Sequence, residues 1–118
     1  MTVRIELKDR PFLKATFKRI KSTQTKGIAK DLVLVDTGAR RSAITERVAN
    51  LLKLRKRGKK KITVGSGLKD IRDLVIINIT TNDGESIDLE VTIRKGLSHS
   101  ILGMDWISQM KPEFFYYI

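Results

Sequence analysis

The chain has 118 residues, 41% of them apolar, and 24 lysines and arginines against 13 aspartates and glutamates, a formal net charge of +11. This length fits one domain with a modest core, so we expect a single domain over residues 1–118. With no cysteine and one histidine, the sequence excludes disulfides, thiolate zinc sites and cysteine nucleophiles. It has neither a membrane-length apolar run nor a signal-peptide core, which favours a cytoplasmic protein with no membrane partner.

The first third of the chain predicts three strands. Residues 3–7 and 13–17 alternate apolar with polar side chains, the pattern of half-buried strands, and Pro11 separates them. Residues 22–27 are polar and end in glycine, which predicts a hairpin connection. The four consecutive aliphatic residues in the run from Asp31 to Val35 then predict a central strand that is buried on both faces.

This strand leads directly into Asp36-Thr37-Gly38-Ala39. A carboxylate at the end of a buried strand loses hydration, so Asp36 is either firmly hydrogen-bonded or kept for chemistry. Gly38 allows backbone angles or a close approach that a side chain would forbid. The same tripeptide also fits an ordinary strand-ending turn capped by aspartate, so both roles stay open.

Residues 45–52 predict a short helix. Thr45 suits the N-cap, and Glu46 lies favourably in the first turn. Lys53 and Arg55 suit the C-terminal end, after which Gly58 can help the chain to turn away. The predicted inward face comprises Val48, Ala49, Leu51 and Leu52.

A basic run extends from Lys53 to Lys61 and reads KLRKRGKKK, seven basic residues in nine. Such a block can bind nucleic acid or an acidic protein surface. It has no interleaved aromatic residues for base stacking, and no nucleic-acid-binding motif surrounds it. The run is therefore either a solvated loop or strand edge, or the site of an anionic partner.

The second half predicts further strands and one more helix. Residues 62–64 and 74–80 flank Gly65-Ser66-Gly67, which predicts a hairpin with a glycine-bearing tip. The turn signal Asn82-Asp83-Gly84 precedes an alternating strand over residues 87–93.

Ile101-Leu102-Gly103 predicts a buried strand end, and Met104 to Met110 a helix that packs Trp106 into the core. Pro112 ends this helix, and Phe114 to Ile118 form a last strand. Seven or eight strands with two short helices predict an all-β domain that closes on itself or packs as a sandwich.

The order of these features resembles the retropepsin-like aspartic proteases. The segments that carry the resemblance are LVLVDTGARRSAIT, ITVGSGL and ILGMDWISQM, the last of which is similar to the corresponding segment of retrotransposon-type members. The opening, VRIELKDRPFLKATF, is similar to the start of a retroviral protease. The resemblance implies a closed, single-lobe acid-protease β-barrel with one or two short helices, assembled as a homodimer.

The resemblance also implies a reaction. Two copies of Asp36 would meet on the two-fold axis, where two carboxyl groups at hydrogen-bond distance cannot both ionise easily; the aspartic-protease dyad is the established example. The pair would activate a water molecule that attacks the peptide carbonyl. This mechanism requires no metal, cofactor or nucleophilic side chain.

Further residues receive roles by the same resemblance. Thr37 would hydrogen-bond across the dimer, and Gly38 would let the substrate backbone approach. Gly65, Ser66 and Gly67 would form the tip of a flap over the peptide; the alternative is an ordinary hairpin. The strand over residues 114–118 would interleave with its partner's copy, or would lie at an edge within its own chain.

The chain departs from the retroviral pattern in its charges. Retroviral members usually carry acidic residues after Asp-Thr-Gly-Ala and an arginine after the second aliphatic-aliphatic-Gly, whereas this chain has Arg40-Arg41 and then Met104-Asp105. We hypothesise that Arg40 or Arg41 pairs with Asp105; the alternative is independent exposed charges. With Ala39, these arginines would lie near bound peptide, which predicts a preference for acidic residues in the substrate.

Two functional hypotheses follow. The first is a homodimeric aspartic endopeptidase that hydrolyses peptide bonds between two Asp36 carboxyls under glycine-tipped flaps. The second is a non-catalytic dimeric binding module of the same fold, whose basic run at 53–61 binds nucleic acid or an acidic protein.

Overall fold

The computed structural model describes residues 3–7, 11–20, 28–63, 67 and 69–116. The described residues form strands β1 (Arg4–Leu7), β2 (Phe12–Lys18), β3 (Ile28–Val35), β4 (Ala43–Ile44), β5 (Gly58–Thr63), β6 (Lys69–Thr81), β7 (Ser86–Ile93), β8 (Ile101–Leu102) and β9 (Glu113–Tyr116). They also form helices α1 (Glu46–Leu52) and α2 (Met104–Met110). Neither of these helices is long and apolar enough to cross a membrane.

Six strands close into a barrel. They are hydrogen-bonded in the order β2-β3-β8-β4-β7-β6, and β6 also pairs with β2, while β5 extends from β6. Closure removes the exposed strand edges that an open sheet would leave. The predicted all-β fold that closes on itself, with two short helices, is confirmed.

The barrel interior is filled by alternate residues of its strands. Phe17 on β2 and Val75, Ile77 and Ile79 on β6 are completely buried, because side chains along a strand point alternately inward and outward. Trp106 is also completely buried and belongs to the same core cluster, as its predicted core position requires.

The prediction that the strand before Asp36 is buried on both faces is wrong. Val33 and Val35 are buried, but Leu32 is 40% exposed and Leu34 is half-buried. In a closed barrel, one side of each strand faces outward, and the aliphatic run conceals this alternation. The strand also begins at Ile28 rather than at Asp31.

Helix α1 begins and ends where the sequence predicts, but its inward face is narrower and Gly58 takes no part in its end. The Thr45 hydroxyl accepts a hydrogen bond from the Val48 N–H at 3.2 Å. Leu51 is 53% exposed, so the predicted inward face is one residue too wide. The helix ends because Lys53 adopts a left-handed conformation with φ of 48°, whereas Gly58 is the first residue of β5.

The C-terminal strand β9 pairs in parallel with β1 of the same chain. The Glu113 N–H also donates to the Val3 carbonyl at 2.7 Å. This pairing is the intrachain alternative from the sequence, and interleaving with a partner's copy stays a prediction. Among the described residues, no third strand joins this two-stranded sheet, so its outer edges are open.

Candidate functional site

Barrel topology brings the Asp36-Thr37-Gly38 segment next to the Ile101-Leu102-Gly103 segment. Strand β8 lies between β3 and β4, parallel to β3. The Asp36 N–H donates to the Leu102 carbonyl at 2.9 Å. The loop that starts at Asp36 therefore begins directly beside the Ile101-Leu102-Gly103 segment.

The start of α2 holds the rest of this loop. The Met104 N–H donates to the Ala39 carbonyl at 2.7 Å, and the Asp105 N–H donates to the Arg40 carbonyl at 3.1 Å. A β-carbon added at Gly103 would lie 2.6 Å from the Ala39 oxygen. Gly103 is thus required by close packing between two backbones.

The Asp36 carboxylate is half-buried. Its Oδ1 accepts a hydrogen bond from the Gly38 N–H at 2.8 Å, which fixes the orientation of the carboxyl group. Its Oδ2 has no hydrogen-bond donor within the described part of the chain. Thr37 and Gly38 are exposed, so this loop lies at the protein surface.

Asp105 is held by a serine and not by an arginine. Its two carboxylate oxygens accept the Ser42 N–H at 3.0 and 2.9 Å, and Oδ1 accepts the Ser42 hydroxyl at 2.6 Å. The hypothesis that Arg40 or Arg41 pairs with Asp105 is therefore wrong. The N–H and hydroxyl of the buried Ser42 are the donors that this carboxylate binds instead.

Arg41 instead pairs with Glu90 on β7, at 3.4 Å between Nη1 and Oε1. The other oxygen of Glu90 lies 3.9 Å from the Arg57 Nε, just before β5. Glu90 thus connects the loop after Asp36 with the segment that leads into β5. The sequence contains no local signal for this contact, because its three members are far apart along the chain.

Replacing Ser42 tests how strongly its hydrogen bonds to Asp105 and Gly103 hold the loop after Asp36. Ser42 is 1% exposed, and its hydroxyl oxygen also accepts the Gly103 N–H at 2.9 Å. We expect Ser42→Ala to lower the free energy of unfolding by about 1.5 kcal/mol. The reason is that the buried Gly103 N–H loses its acceptor and the Asp105 carboxylate loses one donor. Urea unfolding at fixed protein concentration measures this change.

The matched control for this variant is Ser108→Ala. Ser108 is an exposed residue of α2, so its replacement should change stability by less than about 0.5 kcal/mol. If both variants unfold at the same urea concentration, the Ser42 hydroxyl does not hold the loop.

An open cleft of about 1090 Å³ lies over the Asp36 loop. Five of the residues that the sequence assigned to the site line it: Asp36, Gly38, Ala39, Arg40 and Arg41. The cleft therefore brings the acid and both arginines to one surface.

The other assigned residues lie elsewhere. Thr37 is exposed and does not line the cleft. Gly67 is exposed, has φ of +81° and lies outside the lining. Gly65 and Ser66 fall outside the described residues, as does the predicted connection over 22–27.

The cleft also contains cations that the sequence did not assign to the site. Lys60 and Lys61 come from β5, Arg72 from β6, and Arg94 from the residue after β7. Only the two lysines had a signal in the sequence, as part of the basic run. No described group of three or more histidines, aspartates and glutamates is placed to hold a metal ion.

Solved structures of retroviral proteases share this fold. The EIAV protease complexed with the inhibitor HBY-793 superposes with a TM-score of 0.70 at 22% identity, covering 92% of this chain and 95% of that one. The simian foamy virus (mac) protease gives 0.59 at 17% identity, over 85% and 94% of the two chains. The retroviral protease-like domain of Ddi1 from Leishmania major gives 0.53 at 16% identity, over 85% and 78%.

Sequence comparison identifies the family. No curated protein matches the chain, but residues 29–109 match the family described as "gag-polyprotein putative aspartyl protease". This match covers more than half of the chain and includes both the Asp36 loop and the segment that packs on it. With the shared fold, it shows that the chain belongs to the retropepsin-like aspartic protease family.

Proposed function

We propose that this protein is an aspartic endopeptidase that acts as a homodimer, with Asp36 of each copy as one half of the catalytic pair. The observation that carries the proposal is that Asp36 lines an open cleft in which no other described carboxylate or histidine is free to act as its acid-base partner. Of the other two carboxylates in the lining, Glu90 is paired with Arg41 and Asp105 is bound by Ser42. A second copy would supply the missing carboxyl group.

The only histidine is not a candidate for that partner. His99 does not line the cleft, and its ring packs edge-on against Phe12 with centroids 5.2 Å apart. Its position favours a packing role.

In the proposed reaction, the two Asp36 carboxyl groups share one proton. One accepts a proton from water as that water attacks the peptide carbonyl, and it later passes this proton to the leaving amine. The other donates its proton to the oxyanion and recovers it when the carbonyl re-forms and the C–N bond breaks. The hydrogen bond from Gly38 to Oδ1 supports this role, because it orients the carboxylate before substrate binds.

The surrounding residues receive supporting roles in the proposal. The exposed Thr37 has no hydrogen-bond partner for its side chain among the described residues, which suits a contact with the second copy. Strands β5 and β6 form a hairpin with Thr63 opposite Lys69, and Gly65, Ser66 and Gly67 would cap it as a flap that excludes water. The open edges of the β1–β9 sheet would allow further strands to join.

The test is hydrolysis of a peptide library between about pH 4 and about pH 7 over a series of protein concentrations. Activity per chain should rise with concentration and then level off as dimers form, in step with dimerisation measured by sedimentation. Absence of cleavage by a well-folded dimer at every pH would overturn the proposal.

The competing function is a non-catalytic binding module of the same fold. It is favoured by the exposure of the seven basic side chains in the run from 53 to 61, of which only Lys56 and Arg57 pair with described carboxylates. Salt-sensitive nucleic-acid binding that disappears when these residues are neutralised, in a protein without peptidase activity, would support this alternative.

A further inference from the structure

We infer that the cleft over Asp36 selects peptides with acidic side chains on both sides of the bond to be cleaved. This inference rests on the proposed peptidase function and names the substrate class of the same site. Its basis is the charge of the cleft lining, in which six cationic side chains face three carboxylates. The cations are Arg40, Arg41, Lys60, Lys61, Arg72 and Arg94.

Two of these cations already have carboxylate partners. Arg41 lies 3.4 Å from Glu90. Arg72, whose side chain is only 11% exposed, lies 3.0 Å from Asp70. The acidic preference that the sequence attributed to Arg41 therefore cannot rest on that residue, since its charge is balanced within the chain.

The other four cations have no ion-pair partner within the described residues, and all four are exposed. Arg40 lies in the loop after β3, Lys60 and Lys61 lie on β5, and Arg94 follows β7. They therefore reach the cleft from three separate parts of the barrel. Glu90 is balanced by Arg41, whereas Asp105 keeps its charge because its partner Ser42 is neutral. The four cations therefore still outnumber the two remaining carboxylates of the lining, Asp36 and Asp105.

Cations gathered around one concave surface create a positive potential that attracts anionic ligands. An extended peptide directs successive side chains to opposite sides. Near the scissile bond, the side chains that point toward the lining would face these cations, so acidic side chains would be favoured there. In a two-fold symmetric dimer, each copy contributes the same four. The preference is therefore expected on both sides of the cleaved bond.

The test compares two peptides that differ only by Glu or Gln at the residues flanking the cleaved bond. We expect kcat/KM to be about tenfold higher for the Glu peptide at low salt, with the ratio approaching one in about 0.5 M salt. The double variant Arg40→Gln/Lys60→Gln should reduce this ratio. The matched control Lys30→Gln/Arg55→Gln removes two exposed cations outside the lining and should preserve it.

Each outcome decides the inference separately from the peptidase proposal. Equal kcat/KM for the two peptides would overturn the inference and leave the peptidase function standing. If neither peptide is cleaved, the peptidase function fails, and fluorescence anisotropy of the labelled peptides decides the inference. Tighter binding of the Glu peptide, lost in the cleft variant, supports it, whereas equal binding overturns it. A single-stranded oligonucleotide is tested in the same assay. The inference is also overturned if the oligonucleotide binds the wild type more tightly than the Glu peptide does and loses this binding only in the Arg40→Gln/Lys60→Gln variant.

Discussion

Asp36→Asn should reduce peptide hydrolysis by more than about 10³-fold, since it removes the proton-transfer group from both halves of the proposed site. The amide oxygen of asparagine can still accept the Gly38 N–H, which lies 2.8 Å from Oδ1 in the wild type. We therefore expect the loop geometry to persist and the stability to change by less than about 1 kcal/mol. Steady-state hydrolysis together with urea unfolding separates loss of chemistry from loss of fold.

Asp31→Asn provides the matched control for this variant. Asp31 lies on β3, the strand that leads into Asp36, and pairs with the exposed Arg47 at 3.4 Å. The substitution therefore removes one carboxylate outside the cleft lining. Activity should stay within about twofold of the wild type, since Asp31 does not line the cleft. Full activity in Asp36→Asn would remove Asp36 from the mechanism.

Gly103→Ala should lower the free energy of unfolding by about 3 kcal/mol, near the upper end of typical overpacking costs. The added methyl group would lie 2.6 Å from the Ala39 oxygen and 3.0 Å from the Arg41 carbonyl carbon. Both neighbours are backbone atoms, so the loop after Asp36 has to move. A displacement of about 1 Å at a catalytic group can cost about 100-fold in rate, and we expect activity to fall accordingly.

Gly58→Ala is the matched control, because a β-carbon there meets no atom within 4 Å. Gly58 lies at the exposed start of β5, so stability should change by less than about 0.5 kcal/mol. Equal stability of Gly103→Ala and Gly58→Ala would show that α2 does not hold the Asp36 loop as closely as described.

Local patterns predicted the elements well wherever one rule decided the structure. Thr45 caps α1 because its side chain satisfies a free N–H, and residues 86–93 form a strand after a turn at Gly84, where φ is 87°. The rule that a continuous apolar run is buried on both faces failed for Leu32 and Leu34, because a wholly aliphatic strand does not reveal which side faces out. The helical-face rule assigned Leu51 inward, although α1 buries only a narrower stripe.

For the candidate site, local sequence indicated the Asp36 loop and the segment that packs on it, but not the charged residues around them. Asp36 and the segment around Gly103 are marked by local sequence, and the barrel brings them together. Asp105 was misassigned because opposite charges suggested an ion pair, whereas the nearby Ser42 donors lie within 3.0 Å. The contributions of Arg94 and Glu90 depend on strand pairing between distant segments, which the sequence does not encode locally.

Mixing wild-type protein with Asp36→Asn at constant total concentration tests most directly whether two chains share one site. If each site requires two Asp36 residues and subunits exchange freely, activity should fall with the square of the wild-type fraction, to about one quarter at equal proportions. A linear decline, to about one half at equal proportions, would mean that each chain acts alone and would contradict the shared site.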